Sequence, residues 1–367
     1  MGLLGIVFLV MVITWAIFIL SKKLAAMLDK ILALQGPAPL PFIGNLHQFR
    51  FKPDEFFEQA QGVAYMLQKD GSRMSRIWFS GWPWALLYGA EECEAILGSN
   101  RILQKPFQYG FLSAWIGNGL LIRMKYIVHQ RTIKAHFYPN ILFNLFGMGR
   151  EQEKCIKTLH DFTSKAIMDR KKLVDEAGGV DKLLANEAKT GKRRMAFLDL
   201  MLDMHAKGDL PLDGIQEEVD TFTFEGHDTT STSMNWFLHL MGVHPDIQAK
   251  VQKEIDDVLG EEDRPVTYED LGNFRYLEAC IKEALRLYPS VPIIARLLTE
   301  DTKIKDNVLP KGMGVVIIPS MVHRDPKYWP DPEVFDPERF IDNELKHPYS
   351  YIPFSAGSRN CIGKFIK

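Results

Sequence analysis

The sequence predicts a mainly α-helical protein with a small β part, carried behind an N-terminal transmembrane helix. The first 20 residues contain a long apolar run without charge. Farther along, apolar residues recur at helical spacing over several stretches, whereas strand-like alternation is short and rare. The net charge is −2 over 367 residues, which gives no reason to expect a nucleic-acid partner.

The run from Gly2 to Leu20 is close to the ~20 residues that a helix needs to cross a bilayer. Lys22 and Lys23 follow it, and no basic segment precedes it, so we expect a retained anchor rather than a cleaved signal peptide. Residues 1–23 are therefore predicted to form a single-pass anchor with the lysines on the cytosolic side. The alternative is a buried core helix.

Residues 24–44 are predicted to form a hinge, because Pro37, Pro39 and Pro41 stiffen the chain between the anchor and the body. Residues 45–367 are then one domain. Its helices are predicted at Ile215–Leu240, Asp246–Leu259 and Tyr276–Tyr288. Pro245 marks the start of the second helix and Gly260 its end, and Thr267 and Asp270 are predicted to cap the third. Short strands are predicted at Arg76–Phe79, Ala85–Tyr88 and Val315–Ile318.

Four cysteines lie far apart, at positions 93, 155, 280 and 361, without a Cys-x-x-Cys pair. That spacing argues against zinc ribbons, iron–sulfur clusters and a disulfide scaffold. Cys361 lies in a loop with Gly357 and Gly363, where the backbone can pass close to a flat macrocycle. A single thiolate held in this way is typical of an axial ligand for haem iron. The alternative is a buried structural cysteine in a glycine turn. Arg359 can pair with a haem propionate, and Phe354 can shield the sulfur.

A second polar group interrupts the long predicted helix, where Phe224–Ser231 are poor helix formers between apolar flanks. The acid Asp228 beside the alcohol Thr229 can hold water and relay protons. The apolar flanks favour burial of this stretch. The alternative is a polar patch on an exposed helix.

Glu283 and Arg286 stand three apart on a predicted helix, and Arg339 lies in the segment Asp336–Phe340 before the cysteine loop. Glu283, Arg286 and Arg339 could lock that segment against the helix, which is a structural role. The alternative is a solvated surface pair, which contributes little.

Together these residues resemble the cytochrome P450 haem-thiolate monooxygenases. The Glu-x-x-Arg pair, the Pro-Glu-Arg-Phe segment and the cysteine loop occur in that family's order. Phe-Glu-Gly-His-Asp-Thr-Thr and the opening Pro-Leu-Pro-Phe-Ile-Gly-Asn are similar to family four, which includes fatty-acid ω-hydroxylases.

The resemblance implies a role for each matched residue. Cys361 is the iron ligand of a haem b, and Arg359 and Arg296 pair with its propionates. Thr229 with Asp228 supplies protons for oxygen activation. Glu225 occupies the position that forms an ester with the haem in much of family four. Phe354 and Gly357 complete the cofactor loop.

The resemblance also implies the reaction and the partners. One oxygen atom is inserted into a C–H bond of a lipid, commonly at the terminal carbon of a fatty acid. Electrons come from NADPH through a membrane-bound cytochrome reductase, with cytochrome b5 as a further partner. The expected location is the endoplasmic reticulum membrane, with the catalytic domain in the cytosol.

The chain departs from the family pattern in three places. Tyr126–Gln130 replaces a Trp-x-x-x-Arg motif, with Arg131 one residue late. We expect helices to be missing between about 142 and 160, and again after residue 367, so that the P450 fold is incomplete. Two alternatives to a working enzyme therefore stay open: an inactive truncated relative, and a membrane-anchored protein that binds haem or a reductase without turnover.

Overall fold

The computed structural model describes residues 3–50, 52–79, 81–106, 127, 130–131, 134–187, 195–260, 264–342 and 344–365. These residues are mostly helical with two small sheets, which confirms the predicted fold class. The chain divides into two compact units. The first contains residues 1–106 and 233–367, and the second contains residues 107–232.

The first unit begins with helix α1, Leu3–Leu32. It continues through Lys22 and Lys23 because lysine is a good helix former. Residues 11–32 are long and apolar enough to span a membrane, with a mean hydropathy of 1.7. Ile31, in the last turn of α1, and Leu34, two residues after its end, are buried in a core of the first unit. Residues 24–32 were predicted from the sequence to belong to the hinge and are helical instead.

The proline-rich segment after α1 runs along the sheet. The Arg76 N–H donates to Gln35 O at 2.7 Å, and the Asn45 N–H donates to Trp78 O at 2.8 Å. Gly36 is needed for this approach, because an added Cβ would lie 2.2 Å from the Arg76 carbonyl oxygen. The segment is thus attached to the sheet at both ends.

The strands of the first unit are β1 Met74–Phe79, β2 Trp82–Leu87, β3 Ile294–Leu297, β4 Thr302–Ile304, β5 Asn307–Leu309 and β6 Gly314–Ile317. Four of them form one sheet in the order β1-β2-β6-β3. β1 pairs antiparallel with β2, β2 pairs parallel with β6, and β6 pairs antiparallel with β3. β4 and β5 form a separate hairpin.

The further helices of the first unit are α2 Pro53–Lys69, α3 Ala90–Leu97, α9 Pro245–Leu259, α10 Arg275–Leu287 and α11 Pro319–Val322. The predicted helices at 246–259 and 276–288 are confirmed within one residue at each end. Thr267 and Asp270 bond to each other beside the short 3₁₀ turn Asp270–Gly272, not at the start of α10.

The second unit contains α4 Asn140–Phe146, α5 Gly149–Ala177, α6 Val180–Glu187, α7 Phe197–Ala206 and the first part of α8. α8 runs from Leu212 to Val243 as one helix and continues into the first unit, which confirms the long helix expected at 215–240. Two apolar cores hold the second unit together, one around Phe143 and Leu159 and one around Ile167 and Ile215.

Candidate active site

A buried ion pair lies on α10, in the first unit. The apolar residues Cys280, Ala284 and Leu287 pack this helix against α9. On another side of α10, Glu283 and Arg286 are both 0% exposed. The Arg286 guanidinium donates through Nε and Nη2 to the two carboxylate oxygens of Glu283, at 2.7 and 2.8 Å. Such a bidentate pair fixes both side chains in one geometry.

The Arg286 guanidinium also holds the chain that leads toward the cysteine loop. Its Nη1 donates to the carbonyl oxygens of His323 (2.9 Å) and Pro332 (2.7 Å), and its Nη2 donates to Val334 O at 3.1 Å. These bonds go to backbone groups. The buried cation is therefore compensated by one carboxylate and three carbonyls, as a buried charge requires.

Arg339 joins the same group from the 3₁₀ turn Pro337–Phe340. Its Nε lies 3.4 Å from Glu283 Oε1, and its Nη2 donates to Asp331 O at 3.0 Å. The same Glu283 oxygen accepts the Asp336 N–H at 2.9 Å. The structure thus brings Glu283, Arg286 and Arg339 together and ties residues 331–339 to α10.

A second set of bonds holds residues 350–352, just before the cysteine loop. Trp329 Nε1 donates to Ser350 O at 3.2 Å, and the Tyr351 hydroxyl donates to Lys282 O at 2.9 Å. Ile352 is buried and its N–H donates to His323 Nε2 at 2.8 Å. Three different side chains therefore fix these three residues.

The cysteine loop itself is a compact turn. The Cys361 N–H donates to Phe354 O at 2.9 Å, and Gly357–Arg359 form one 3₁₀ turn between them. Gly357 has φ +74°, and an added Cβ would lie 1.8 Å from the Leu97 carbonyl oxygen at the end of α3. Only glycine fits there, both for its conformation and for the space.

Exposure separates Cys361 from the other three cysteines. Cys93, Cys155 and Cys280 are buried, whereas Cys361 is exposed. Burial raises the pKa of the Cys93 thiol, and it raises that of Cys280 to about 12, so these thiols are poor metal ligands at neutral pH. Cys361 is thus the accessible thiol of the chain.

The donor set around Cys361 fits a haem. Phe354 is 37% exposed and Ile362 is also exposed, so an apolar surface adjoins the thiol. Arg359 is exposed on the same turn. A thiol, an apolar surface and a cation match a flat apolar macrocycle that carries carboxylates and a metal ion with an open axial position.

Arg296 lies on β3, opposite Val315 of β6. It is largely buried, and its Nη1 donates to the carbonyl oxygen of its neighbour Ala295 at 2.9 Å. This candidate propionate partner therefore lies on the sheet, where the pairing of β3 with β6 fixes the position of its backbone.

The residues expected on the long helix lie in the second unit, whereas Cys361 lies in the first. Glu225, Gly226 and His227 are exposed, and Asp228 and Thr229 are half-buried. The expectation that the stretch Phe224–Ser231 is buried was therefore wrong for Glu225, Gly226, His227 and Thr230, which are exposed. The flanking Phe222 and Phe224 are themselves only half-buried, so the apolar flanks do not mark a fully buried helix. The Thr229 hydroxyl donates to Glu225 O at 2.6 Å, one turn back.

Tyr126, Val128 and His129 lie outside the described residues. Arg131 is buried, and its guanidinium lies over the Phe143 ring at 4.3 Å. It donates to Phe137 O at 3.2 Å and also contacts Asn140 Oδ1. These contacts attach Arg131 to α4 and to the residues just before α4.

A buried polar cluster between α5 and α8 was not predicted from the sequence. The Thr163 hydroxyl donates to Asp220 Oδ1, and Gln216 Nε2 donates to the same oxygen at 2.8 Å. His160 Nε2 lies 3.4 Å from Asp220 Oδ2. The i, i+4 spacing of Gln216, Asp220 and the apolar Phe224, which places all three on one side of α8, was the available signal. His323, also missed, stands in an apolar stretch directly before Arg324 and Asp325.

The cytochrome P450 family model matches residues 120–366, about two thirds of the chain. The protein therefore belongs to the cytochrome P450 family, whose members carry a haem iron.

The relatives place it more narrowly. Cytochrome P450 4V2 of Rattus norvegicus is 34% identical over 88% of this chain and 79% of its own length. The same protein of Homo sapiens is 33% identical over the same shares. Cytochrome P450 4c3 of Drosophila melanogaster is 31% identical over 98% of this chain and 85% of its own. Within the family, the chain is a P450 of family four.

These alignments are longer than the matched part of the chain. The alignment with the rat protein runs over 420 positions, while 88% of 367 residues is about 323. About a hundred aligned positions therefore have no counterpart in this chain. The fly protein gives the same result, with 457 positions against 98% of 367 residues, or about 360.

Proposed function

We propose that this P450 inserts one oxygen atom from O2 into a C–H bond of a lipophilic substrate, and that the substrate is a fatty acid hydroxylated at its terminal carbon. The observation that carries the proposal is the exposed Cys361 thiol, presented by a loop that is fixed to α3 and, through residues 350–352, to α10. Family-four membership supports the substrate class.

Cys361 would bind the haem iron as its thiolate, and a haem held in this way supplies an oxidant strong enough for unactivated C–H bonds. The loop residues bind and orient the cofactor. Arg359 and Arg296 would pair with the propionates, Gly357 lets the loop lie close to α3, and Phe354 excludes water from the sulfur.

Asp228 and Thr229 are the proposed proton donors to the oxygen side of the site. Thr229 now donates its proton to Glu225 O, and rotation about its χ1 would turn the hydroxyl toward another partner. Thr229→Ala should raise the peroxide released per NADPH consumed and lower product formation. Thr221→Ala is the matched control, because the Thr221 hydroxyl makes the same backward bond, to Glu217 O at 2.7 Å. Equal coupling in both variants would remove Thr229 from the relay.

Glu225 is the proposed site of an ester bond to the haem, and its exposed carboxylate supports this. Acid–organic extraction of the wild-type protein should leave haem on the chain. Extraction should release it completely from Glu225→Gln but not from Glu217→Gln, which changes an exposed glutamate two turns earlier on α8. Full release from the wild-type protein would contradict the ester.

α1 is the proposed anchor in the endoplasmic reticulum membrane, with a single pass and the catalytic domain in the cytosol. The exposed apolar side chains between Met11 and Leu20 support membrane insertion of its first part, whereas Ile31 in its last turn packs in the core of the first unit. A membrane-bound NADPH-dependent cytochrome reductase would deliver the electrons, with cytochrome b5 as a second donor.

Reconstitution with that reductase, NADPH and a series of saturated fatty acids tests the reaction. The expected product is the terminal alcohol, identified by mass spectrometry. Products hydroxylated only at internal carbons would overturn the terminal selectivity, and no NADPH-dependent product with any chain length would overturn the activity.

One set of observations favours a second candidate, a haem-binding relative without turnover. About a hundred aligned positions of the relatives have no counterpart here, and α4 exposes the apolar residues Ile141, Leu145 and Phe146. The first supports a loss of chain relative to these relatives, and the exposed apolar side chains of α4 support the expected loss of helices between about 142 and 160. This candidate predicts normal haem uptake without NADPH-dependent oxygen consumption above that of the reductase alone.

A further inference from the structure

His323 connects α10 to the chain segment that ends in Cys361. It follows α11 and its side chain is 0% exposed. Its Nδ1 lies 3.1 Å from Arg286 O, and its Nε2 accepts the Ile352 N–H at 2.8 Å. One imidazole ring therefore bridges the last turn of α10 and the segment before the cysteine loop.

The two contacts determine the protonation state of the ring. The Ile352 amide can only donate, so Nε2 must carry a lone pair. The Arg286 carbonyl can only accept, so the proton must reside on Nδ1. Only the neutral Nδ1–H tautomer satisfies both partners, because a protonated ring has no acceptor for the buried Ile352 N–H.

From Ile352 the bonds continue into the loop. The Ser355 N–H donates to Ile352 O at 3.1 Å, and the Phe354 carbonyl accepts the Cys361 N–H at 2.9 Å. The path from α10 to Cys361 thus passes through His323, Ile352, the turn to Ser355, and Phe354. Each step is a hydrogen bond or a short stretch of chain, so movement of Ile352 is passed on to Cys361.

We propose that His323 is a positioning residue for Cys361: its neutral ring holds Ile352 in place and thereby keeps the cysteine loop in the conformation that presents the thiolate to the haem. The proposal rests on the proposed function, because it takes Cys361 as the iron ligand. It does not require turnover.

The surroundings of the ring favour the neutral form. Arg286 and Arg324 are the nearby cations, Glu283 is paired with Arg286, and Asp325 is paired with Arg73. The centroid of the Tyr351 ring lies 5.3 Å from that of the His323 ring, and the two ring planes are tilted by 35°. Burial, opposed by the bond to the Arg286 carbonyl, together with the two arginines lowers the pKa of His323 from 6.5 to about 3.

The sign of the pH effect follows from that direction. Between pH 6.5 and about 3 the unfolded chain binds a proton on His323 and the folded chain does not. The His323 contribution to stability is therefore complete above pH 6.5 and decreases as the pH falls toward 3. Opening of the segment around Ile352 should become easier over the same range.

Hydrogen exchange at the Ile352 amide tests the link without reference to catalysis. In the full-length protein in detergent at pH 7, His323→Phe should exchange this amide at least about tenfold faster than wild type, because its acceptor is gone. His323→Gln should stay near wild type, since its Oε1 can accept the Ile352 N–H. Tyr351→Phe, which removes only the bond to Lys282 O, is the matched control for general loosening.

If His323→Phe does not fold, His323→Asn replaces it. The asparagine amide can still donate to Arg286 O but does not reach Ile352, so exchange should rise without global unfolding. Equal Ile352 exchange in wild type, His323→Asn and His323→Gln would overturn the proposal.

The second readout is the thiolate signature of the reduced, carbon monoxide-bound haem protein as the pH is lowered. The wild-type protein should lose the long-wavelength Soret band at a higher pH than His323→Gln, which has no ring to protonate. Loss at the same pH in both would show that Cys361 itself sets the limit, and would overturn the role of His323. A wild-type protein that lacks the band at pH 7 would contradict the proposed function, while the exchange test of His323 would still stand.

Discussion

In the first unit, Glu283 and Arg286 are fully buried and bond to each other and to four backbone groups. In the second unit, Glu225 is exposed, and the Thr229 and Ser231 hydroxyls each donate to a carbonyl oxygen of their own helix. Both groups are family motifs, and they differ in burial: the first pair is fully buried and joins distant parts of the chain, whereas the second stretch is exposed or half-buried.

The difference separates two kinds of motif residue. A buried pair that bonds to distant backbone determines the fold, and its geometry is complete in the chain itself. The polar stretch of α8 is exposed or half-buried, so changes there should cost less stability than changes in the fully buried pair. Mutations in the two groups should therefore differ first in stability, and only then in activity.

Arg286→Met should have the largest effect. It leaves the Glu283 carboxylate buried without its main partner and leaves the carbonyls of His323, Pro332 and Val334 without a donor. Breaking such a pair costs about 3–5 kcal/mol in the free energy of unfolding. Urea unfolding of the detergent-solubilised chain measures it. Lys253→Met, which removes an exposed pair with Asp257, should cost below about 0.5 kcal/mol. Similar losses in both would contradict the structural role of the buried pair.

Gly357→Ala comes next. The new Cβ meets the Leu97 carbonyl, and φ +74° is unfavourable for alanine. We expect a loss of about 2–3 kcal/mol, of which the conformation accounts for about 1–2. Gly312→Ala measures the conformational cost alone, because Gly312 has φ +84° and no atom lies within 4 Å of an added Cβ. If the two variants unfold alike, the contact with α3 does not fix the loop.

Asp220→Ala should have a smaller effect, within the second unit. It removes the acceptor shared by Thr163 and Gln216. Thr163 keeps Leu159 O as an acceptor and Gln216 keeps Thr163 Oγ1, so we expect a loss of about 1 kcal/mol from the lost hydrogen bonds. Asp161→Ala, which changes an exposed carboxylate on α5, should leave the midpoint of unfolding unchanged. A neutral result for Asp220→Ala would mean that this cluster is hydrated and does not join α5 to α8.

The sequence predicted much of the first unit because its signals are local. Helical spacing defined α9 and α10, and the cysteine loop was identifiable from Gly357, Arg359 and Cys361. The hairpin of β4 and β5 was missed because each strand has only three residues, too few for an alternation to show. The end of α1 was placed too early because two lysines were taken as the boundary, although they do not break a helix.

The bonds that hold residues 350–352 were beyond prediction for a different reason. Trp329, Tyr351 and His323 bond there to backbone carbonyl or amide groups. Because almost every residue carries the same backbone carbonyl and amide groups, the sequence does not show which of them a side chain will bond to. The exposure of Glu225 could not be predicted either, because the packing of a helix depends on chain segments far away in sequence.

The carbon monoxide difference spectrum of the reduced, membrane-expressed protein tests the central claim, that the first unit presents Cys361 to a haem. We predict the long-wavelength Soret band of a thiolate-ligated haem for the wild-type protein, and its loss in Cys361→Ala with membrane attachment retained. Absence of that band in the folded wild-type protein, or the same band in Cys361→Ala, would contradict the account.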